Sequence, residues 1–182
     1  MRLFIGIDLP DKMKQNLFQL QSELRGYGIK GSWKSVANLH ITLEFLGELE
    51  TDAIPVLTNS LIKVASNHKP FKLSVKGLGA FPSFKKPNIL WSALGENLTQ
   101  LHHLRNELHA ELIKSGYRLE ERPFKPHITL ASRPKLEAVN LGDFHAKKIG
   151  EFTVEDVTLF ESRHINGKLT YIDMFRVNLY KT

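Results

Sequence analysis

Apolar residues recur along three stretches of the chain at the three- and four-residue steps of a helix that buries one stripe. Met13, Leu17, Leu20 and Leu24 form the first stripe, Ile54, Leu57, Leu61 and Val64 the second, and Leu101, Leu104, Leu108 and Leu112 the third. Thr51 is the expected N-cap of the second helix, and Asn97 with Gln100 three residues on reads as a capping box for the third. The first and third helices run into Gly26 and Gly116, which suit a helix end. Between the helices, apolar and alternating runs predict strands at 2–8, 32–36, 38–46, 70–78, 88–94, 126–132, 149–161 and 169–180. Asn166-Gly167 marks a hairpin turn of two or more residues between the last two. Basic loops are expected at Ser83 to Lys86 and at Arg133 to Lys135. Gly77-Leu78-Gly79 lacks the third glycine of a dinucleotide fingerprint and reads as a strand bend.

One order of elements occurs twice. A leucine-striped helix runs into Gly26-Tyr27 and is followed by His40-Ile41-Thr42-Leu43; a second runs into Gly116-Tyr117 and is followed by His127-Ile128-Thr129-Leu130. This predicts two related lobes facing each other across a pseudo-twofold axis. No long linker or low-complexity segment interrupts the sequence, so residues 1–182 are expected to form one bilobal domain. In a strand, side chains alternate faces. His40, Thr42 and Glu44 then share one face, with Leu39, Ile41, Leu43 and Phe45 on the other, and His127 shares a face with Thr129. Two such strands would bring two imidazoles and two hydroxyls into one cleft.

Composition narrows the chemistry. The 182 residues contain no cysteine, which excludes disulfides, thiolate metal sites and a cysteine nucleophile, and which fits the cytoplasm. No run of about 18 apolar residues is present, so no membrane span is expected. The net charge of +6 suits a polyanionic partner, nucleic acid first among them. Two imidazoles match the hydrolysis of a cyclic phosphodiester, which takes one proton from water and gives another to a sugar oxygen. The threonine hydroxyls would bind the non-bridging oxygens, and no metal or other cofactor is called for. His102, His103 and His109 on the third helix lack a ligand pattern and read as solvated residues. His68, His145 and His164 show no partner in the sequence. Trp33, Phe81, Phe84 and Tyr171 are candidate base-stacking residues, and Lys34, Lys85, Lys86, Lys125 and Arg163 candidate cations for an RNA backbone.

The paired His-x-Thr motifs resemble the two-histidine (2H) phosphoesterase superfamily, and within it the bacterial and archaeal RNA 2′,3′-cyclic phosphodiesterases, once called 2′-5′ RNA ligases. Arg2 to Asp8 resembles that family's first strand, Asn38 to Gly47 its first motif, and Pro126 to Ala131 its second. Gly77 to Pro82 with Leu90-Trp91 resembles its central segment, and Leu159 to Arg163 with Tyr171 its C-terminal strands. The resemblance implies an α+β fold with two antiparallel sheets lining a central cleft and helices outside. It implies hydrolysis of an RNA 2′,3′-cyclic phosphate end to a 2′-phosphate, with His40 as proton donor, His127 as proton acceptor, and Thr42 and Thr129 on the phosphate. Many relatives carry an arginine where this chain has Ser132, and Arg133 follows it. Trp33, Phe84, Lys125, Arg133, Arg163 and Tyr171 complete the expected substrate-binding set. The alternatives are 2′-5′ RNA ligation and a non-catalytic RNA-binding module.

Overall fold

The computed structural model describes residues 1–96, 98–136 and 139–180. Two antiparallel sheets carry the fold. Strands β1 (Arg2–Asp8), β2 (Lys30–Trp33), β3 (His40–Glu48), β4 (Phe71–Pro82), β5 (Pro87–Leu94), β6 (His127–Lys135), β7 (Lys148–Val154), β8 (Asp156–Ile165) and β9 (Lys168–Asn178) divide between them. One sheet has the order β3-β1-β8-β9 and the other β2-β6-β5-β4-β7. Strands β3 and β6, which begin with His40 and His127, touch across the space between the sheets. Helix α1 (Asp11–Gly26) packs on the five-stranded sheet through β7, whereas α2 (Ala53–Ala65) and α3 (Thr99–Lys114) pack on each other and on the four-stranded sheet. No described helix is long and apolar enough to cross a membrane.

The repeat is a structural unit. In β1–α1–β3, Asp8 at the end of the first strand pairs with His40 at the start of the last. In β5–α3–β6, Ala93 pairs with His127 in the same way. Each helix covers one sheet and the following histidine strand lies in the other, so the two units interlock. The expected stripes are the buried faces: Met13, Leu17, Leu20 and Leu24 on α1, and Leu101, Leu104, Leu108 and Leu112 on α3, are almost fully buried. Each buried leucine contributes about 1.5–3 kcal/mol. On α2 the buried face is Leu57, Ser60, Leu61, Val64 and Ala65.

Helix ends refine the sequence reading. Helix α1 is stopped by Gly28, not Gly26: Gly28 has φ +94°, its N–H donates to the Arg25 carbonyl at 2.9 Å, and Ile29 N–H donates to the Leu24 carbonyl at 3.2 Å. Helix α3 ends identically at Gly116, with Tyr117 N–H donating to the Leu112 carbonyl at 3.1 Å. Both are Schellman ends, and the apolar residues Ile29 and Tyr117 follow their glycines. His40 therefore follows its stop glycine by twelve residues and His127 by eleven, a closer repeat than the Gly-Tyr frame gave. Thr51 supplies a carbonyl to Ile54 N–H rather than a side-chain cap, because Asp52 occupies the cap position. Helix α3 starts at Thr99 after Leu98, so Gln100 falls on its second residue, not its third; Asn97 lies outside the described residues.

The strands depart from simple alternation at three places. The predicted strand at 149–161 is two strands, β7 and β8, because the chain leaves one sheet at Glu155 and enters the other. The predicted strand at 32–36 ends at Trp33 and turns into a 3-10 segment, Val36–Asn38. The basic segment Arg133 to Lys135 belongs to β6 rather than to a loop, with Lys135 paired to Lys30. The Asn166-Gly167 hairpin is a two-residue turn, φ +50° and +76°, closed by the pair Ile165 and Lys168.

Substitution at the two neighbouring glycines tests the helix stop. Gly28→Ala is expected to destabilise the fold by about 1 kcal/mol or more, because alanine is strained at its positive φ. Gly26→Ala, in helical backbone with open space around it, is expected to be neutral or to stabilise by up to about 1 kcal/mol. Urea midpoints of the two variants check the order, and the reverse ranking contradicts the assignment.

Candidate active site

Each His-Ile-Thr-Leu segment builds the same local geometry. The imidazole Nδ1 lies 2.7 Å from the carbonyl of the residue two before it, Asn38 for His40 and Lys125 for His127. A carbonyl only accepts, so Nδ1 carries the proton and Nε2 is the free position of the neutral ring. At His40, Nε2 lies 2.8 Å from Thr42 Oγ1, and the hydroxyl donates to it in that tautomer. Both threonines sit two residues beyond their histidines and both are half-buried.

A β-bulge follows the threonine in both motifs. Gly6 pairs with Thr42 and Ile5 with Glu44, leaving Leu43 unpaired; Trp91 pairs with Thr129 and Leu90 with Ala131, leaving Leu130 unpaired. An inserted residue reverses the facing of all that follow. Expected on the cleft face, Glu44 is instead 3% exposed, and Phe45, expected on the apolar face, is 61% exposed. The Leu130 carbonyl accepts from Lys34 N–H at 2.9 Å and from Gln21 Nε2 at 3.1 Å. Gln21 Nε2 also donates to the Lys34 carbonyl at 3.0 Å. Gln21 is wholly buried and was missed in the sequence, although its spacing of four from Leu17 placed it on the buried stripe.

Aromatic rings hold both imidazoles. The His40 ring lies 4.9 Å from Phe4 and meets Tyr171 edge-on at 5.0 Å. The His127 ring meets Phe81 edge-on at 4.9 Å and lies 5.9 Å from Trp91. The Trp91 indole lies over Gly79, where a Cβ would overlap it, so the glycine makes room for the wall beside His127. Burial pushes the His40 pKa down to about 4; its bond to the Asn38 carbonyl and Asp8 oppose that, and positive charge on Lys34 and His127 adds to it. Burial also lowers the His127 pKa, against the bond to the Lys125 carbonyl. Both rings are therefore neutral in the empty site near pH 7, and a bound anion would favour protonating them.

A cavity of about 720 Å³ opens beside His127 and Thr42. Thr42 and His127 line one part of it, and Phe45, Phe124, Arg105, Arg122 and Lys125 others. Arg105 is held by Glu44 at 2.9 Å and stacks over Phe124 at 5.3 Å. His109, expected to be solvated, lies 2.5 Å from the same Glu44 oxygen, and His68, for which the sequence showed no partner, lies 2.8 Å from Glu107. His145 packs edge-on against Phe84 at 5.3 Å. Among the described residues no three His, Asp or Glu side chains group as a metal site.

The structure brings together only part of the expected substrate-binding set. Lys125 lines the cavity, and Tyr171 touches His40. Trp33 packs against the core under the Arg25 guanidinium at 5.0 Å. Arg163 pairs with Glu161 at 2.6 Å, and Phe84 is exposed beside His145. Arg133 is exposed at φ +50°, in a second bulge of β6, where the step from Ser132 to Lys135 opposes the shorter one from Ser32 to Lys30.

Known proteins of similar sequence and fold place the chain in a family. The family model described as LigT like Phosphoesterase matches residues 7–91 and 94–171. The chain is 33% identical over 167 residues to the RNA 2′,3′-cyclic phosphodiesterase of Archaeoglobus fulgidus, covering 89% of this chain and 91% of that one. It is 35% identical over 130 residues to the protein of the same name from Thermotoga maritima, covering 71% and 68%. The crystal structure of TT0787 of Thermus thermophilus matches with a TM-score of 0.83 at 25% identity, over 100% of this chain and 99% of that one. The crystal structure of E. coli LigT complexed with 3′-AMP matches with a TM-score of 0.80 at 26% identity, over 99% and 98%. With a family model matched over most of its length and relatives of 33% and 35% identity, this chain belongs to the LigT-like phosphoesterase family.

Proposed function

We propose that the protein hydrolyses RNA 2′,3′-cyclic phosphate ends to 2′-phosphomonoesters, with His40 and His127 as the acid and base. The observation that carries this reading is the shared tautomer: both rings keep Nδ1–H on a carbonyl, so Nε2 is the protonatable nitrogen of each, and at His40 a substrate oxygen would replace the Thr42 hydroxyl that holds it in the empty site. Family membership and relatives named for this activity support it. In the reaction, neutral His127 takes a proton from water as the water oxygen bonds to phosphorus. The bond from phosphorus to the 3′ oxygen breaks, and protonated His40 gives that oxygen its proton. Thr42 and Thr129 donate to the non-bridging oxygens, where charge accumulates. The negative charge of the phosphodiester favours the imidazolium form of His40, raising its pKa so that it takes up a proton from solvent when substrate binds. Lys125, Arg122 and Arg105 along the cavity suit an RNA backbone, and Phe45 and Phe124 offer faces to bases. The lack of cysteine suits a cytoplasmic setting.

Product identity tests the reading directly. Phosphorus NMR after turnover of a 2′,3′-cyclic nucleotide is expected to show a 2′-monoester, with full rate after exhaustive chelation. A 3′-monoester would reject these roles, and loss of activity restored by one divalent ion would reject the two-histidine mechanism. The roles separate with a nitrophenyl ester, whose leaving group needs no proton. Such a substrate is expected to rescue His40→Ala in part and His127→Ala not at all; the opposite pattern would reverse them.

The lowered histidine pKa values fix the pH dependence. kcat/KM reports the free enzyme, so its bell is expected to peak on the acid side of 6.5, with the kcat profile displaced upward by the bound phosphate. The limbs belong to the coupled pair. Stability has the same origin. The unfolded chain takes up these protons near pH 6.5 and the folded His40 only near pH 4, so stability is full above that window and falls as pH drops through it. A kcat/KM optimum well above 7 would contradict the burial of the two rings.

A further inference from the structure

A lysine reaches from one sheet to the other beside His40. Lys34 follows β2, and its backbone is fixed to β6 by its N–H bond to the Leu130 carbonyl and by buried Gln21, which bonds the carbonyls of both residues. Its Cα is thus locked to the strand that carries His127 and Thr129. Its side chain runs to the opposite sheet, where Nζ donates to the Tyr171 hydroxyl at 3.3 Å and lies 5.7 Å from the ring centroid. The same phenol meets the His40 ring at 5.0 Å. Ammonium and imidazole therefore share one aromatic neighbour. Lys14, Lys63 and Lys147 pair with Asp8, Glu111 and Glu23, whereas among the described residues no carboxylate lies within 4.0 Å of Lys34 Nζ. A half-buried ammonium held by a neutral hydroxyl has donors left over and gains from an incoming anion.

We propose that Lys34 is a phosphate-binding catalytic residue, its ammonium taking a non-bridging oxygen of the cyclic phosphate while Tyr171 positions it beside His40. The proposal rests on the phosphodiesterase reading for its substrate, but the anion site stands on the geometry alone. Opening the ring turns a phosphodiester monoanion into a monoester that carries more charge, so the contact strengthens along the reaction and acts more on kcat than on KM. The ammonium also counts for the acid. In the empty site its charge weighs against protonating His40, and a phosphate between them relieves that repulsion.

Three variants test this: Lys34→Met keeps the apolar stem, Lys34→Arg keeps the charge, and Tyr171→Phe keeps the ring against His40. Inorganic phosphate binding is measured by calorimetry at pH 7, kcat and KM on 2′,3′-cyclic AMP, and the His40 titration by NMR. Lys34→Met is expected to weaken phosphate binding by about 10- to 100-fold, the usual range for one hydrogen bond to a charged group. It is expected to lower kcat more than it raises KM, and to move the His40 titration upward. Lys34→Arg is expected to retain phosphate binding better than Lys34→Met, and Tyr171→Phe to lose less than Lys34→Met. Phosphate affinity in Lys34→Met within twofold of the parent, with the His40 titration unmoved, would overturn the proposal. A parent protein that binds phosphate through Lys34 yet opens no cyclic phosphate would leave this site standing and overturn the phosphodiesterase reading instead.

Discussion

Each imidazole of the two motifs, His40 and His127, is tied by Nδ1–H to the carbonyl two residues before it, at 2.7 Å in both. This bond decides the tautomer and the ring orientation, and through them leaves Nε2 as the nitrogen without the proton. It depends on backbone alone, since the acceptors come from Asn38 and Lys125, residues with unlike side chains. Asn38 is held from the far strand by its own amide, which donates to the Leu169 carbonyl at 2.8 Å. Phe4 and Tyr171 pack against the His40 ring and Phe81 and Trp91 against the His127 ring, and burial is the largest cause of both lowered pKa values.

The paired bulges are the second constraint. A strand that kept strict alternation past Thr42 would turn Glu44 to the face that carries His40 and Thr42, a negative charge beside them. The unpaired Leu43 turns Glu44 inward instead, where Arg105 and His109 meet it. Glu44 then works for the cavity by holding Arg105 over Phe124. In β6 the same insertion places the Leu130 carbonyl where Gln21 and Lys34 reach it. One backbone device, used twice, thus sets an arginine on one side of the cleft and a lysine on the other.

Much of this was legible in the sequence, for physical reasons that also explain what was not. The helix stripes could be read because leucine burial follows a fixed period. The tetrapeptide repeat could be read because four residues of strand keep their alternation, so His and Thr share a face wherever the strand lies. Past the fourth residue the reading failed at Glu44 and Phe45, because a bulge shifts the facing and leaves no compositional mark. The break at Glu155 was hidden for a related reason: β7 and β8 pair with different sheets, and pairing is a long-range property. His109 and Glu44 lie 65 positions apart, so their contact depends on how α3 docks against β3. Gly26 and Gly28 are alike by composition, and only the hydrogen bonds of Ile29 and Gly28 single out the second.

The central claim is that His40 and His127 act as one acid–base unit on one phosphate. A mutant cycle on a 2′,3′-cyclic nucleotide measures this most directly, with kcat/KM determined for His40→Ala, His127→Ala and the double variant. Each single variant is expected to lose about 10²–10⁴-fold or more while remaining folded. The double variant is expected to lose far less than the product of the two single losses, since removing either partner already disables the concerted transfer. Losses that multiply would show two independent contributions and contradict the account.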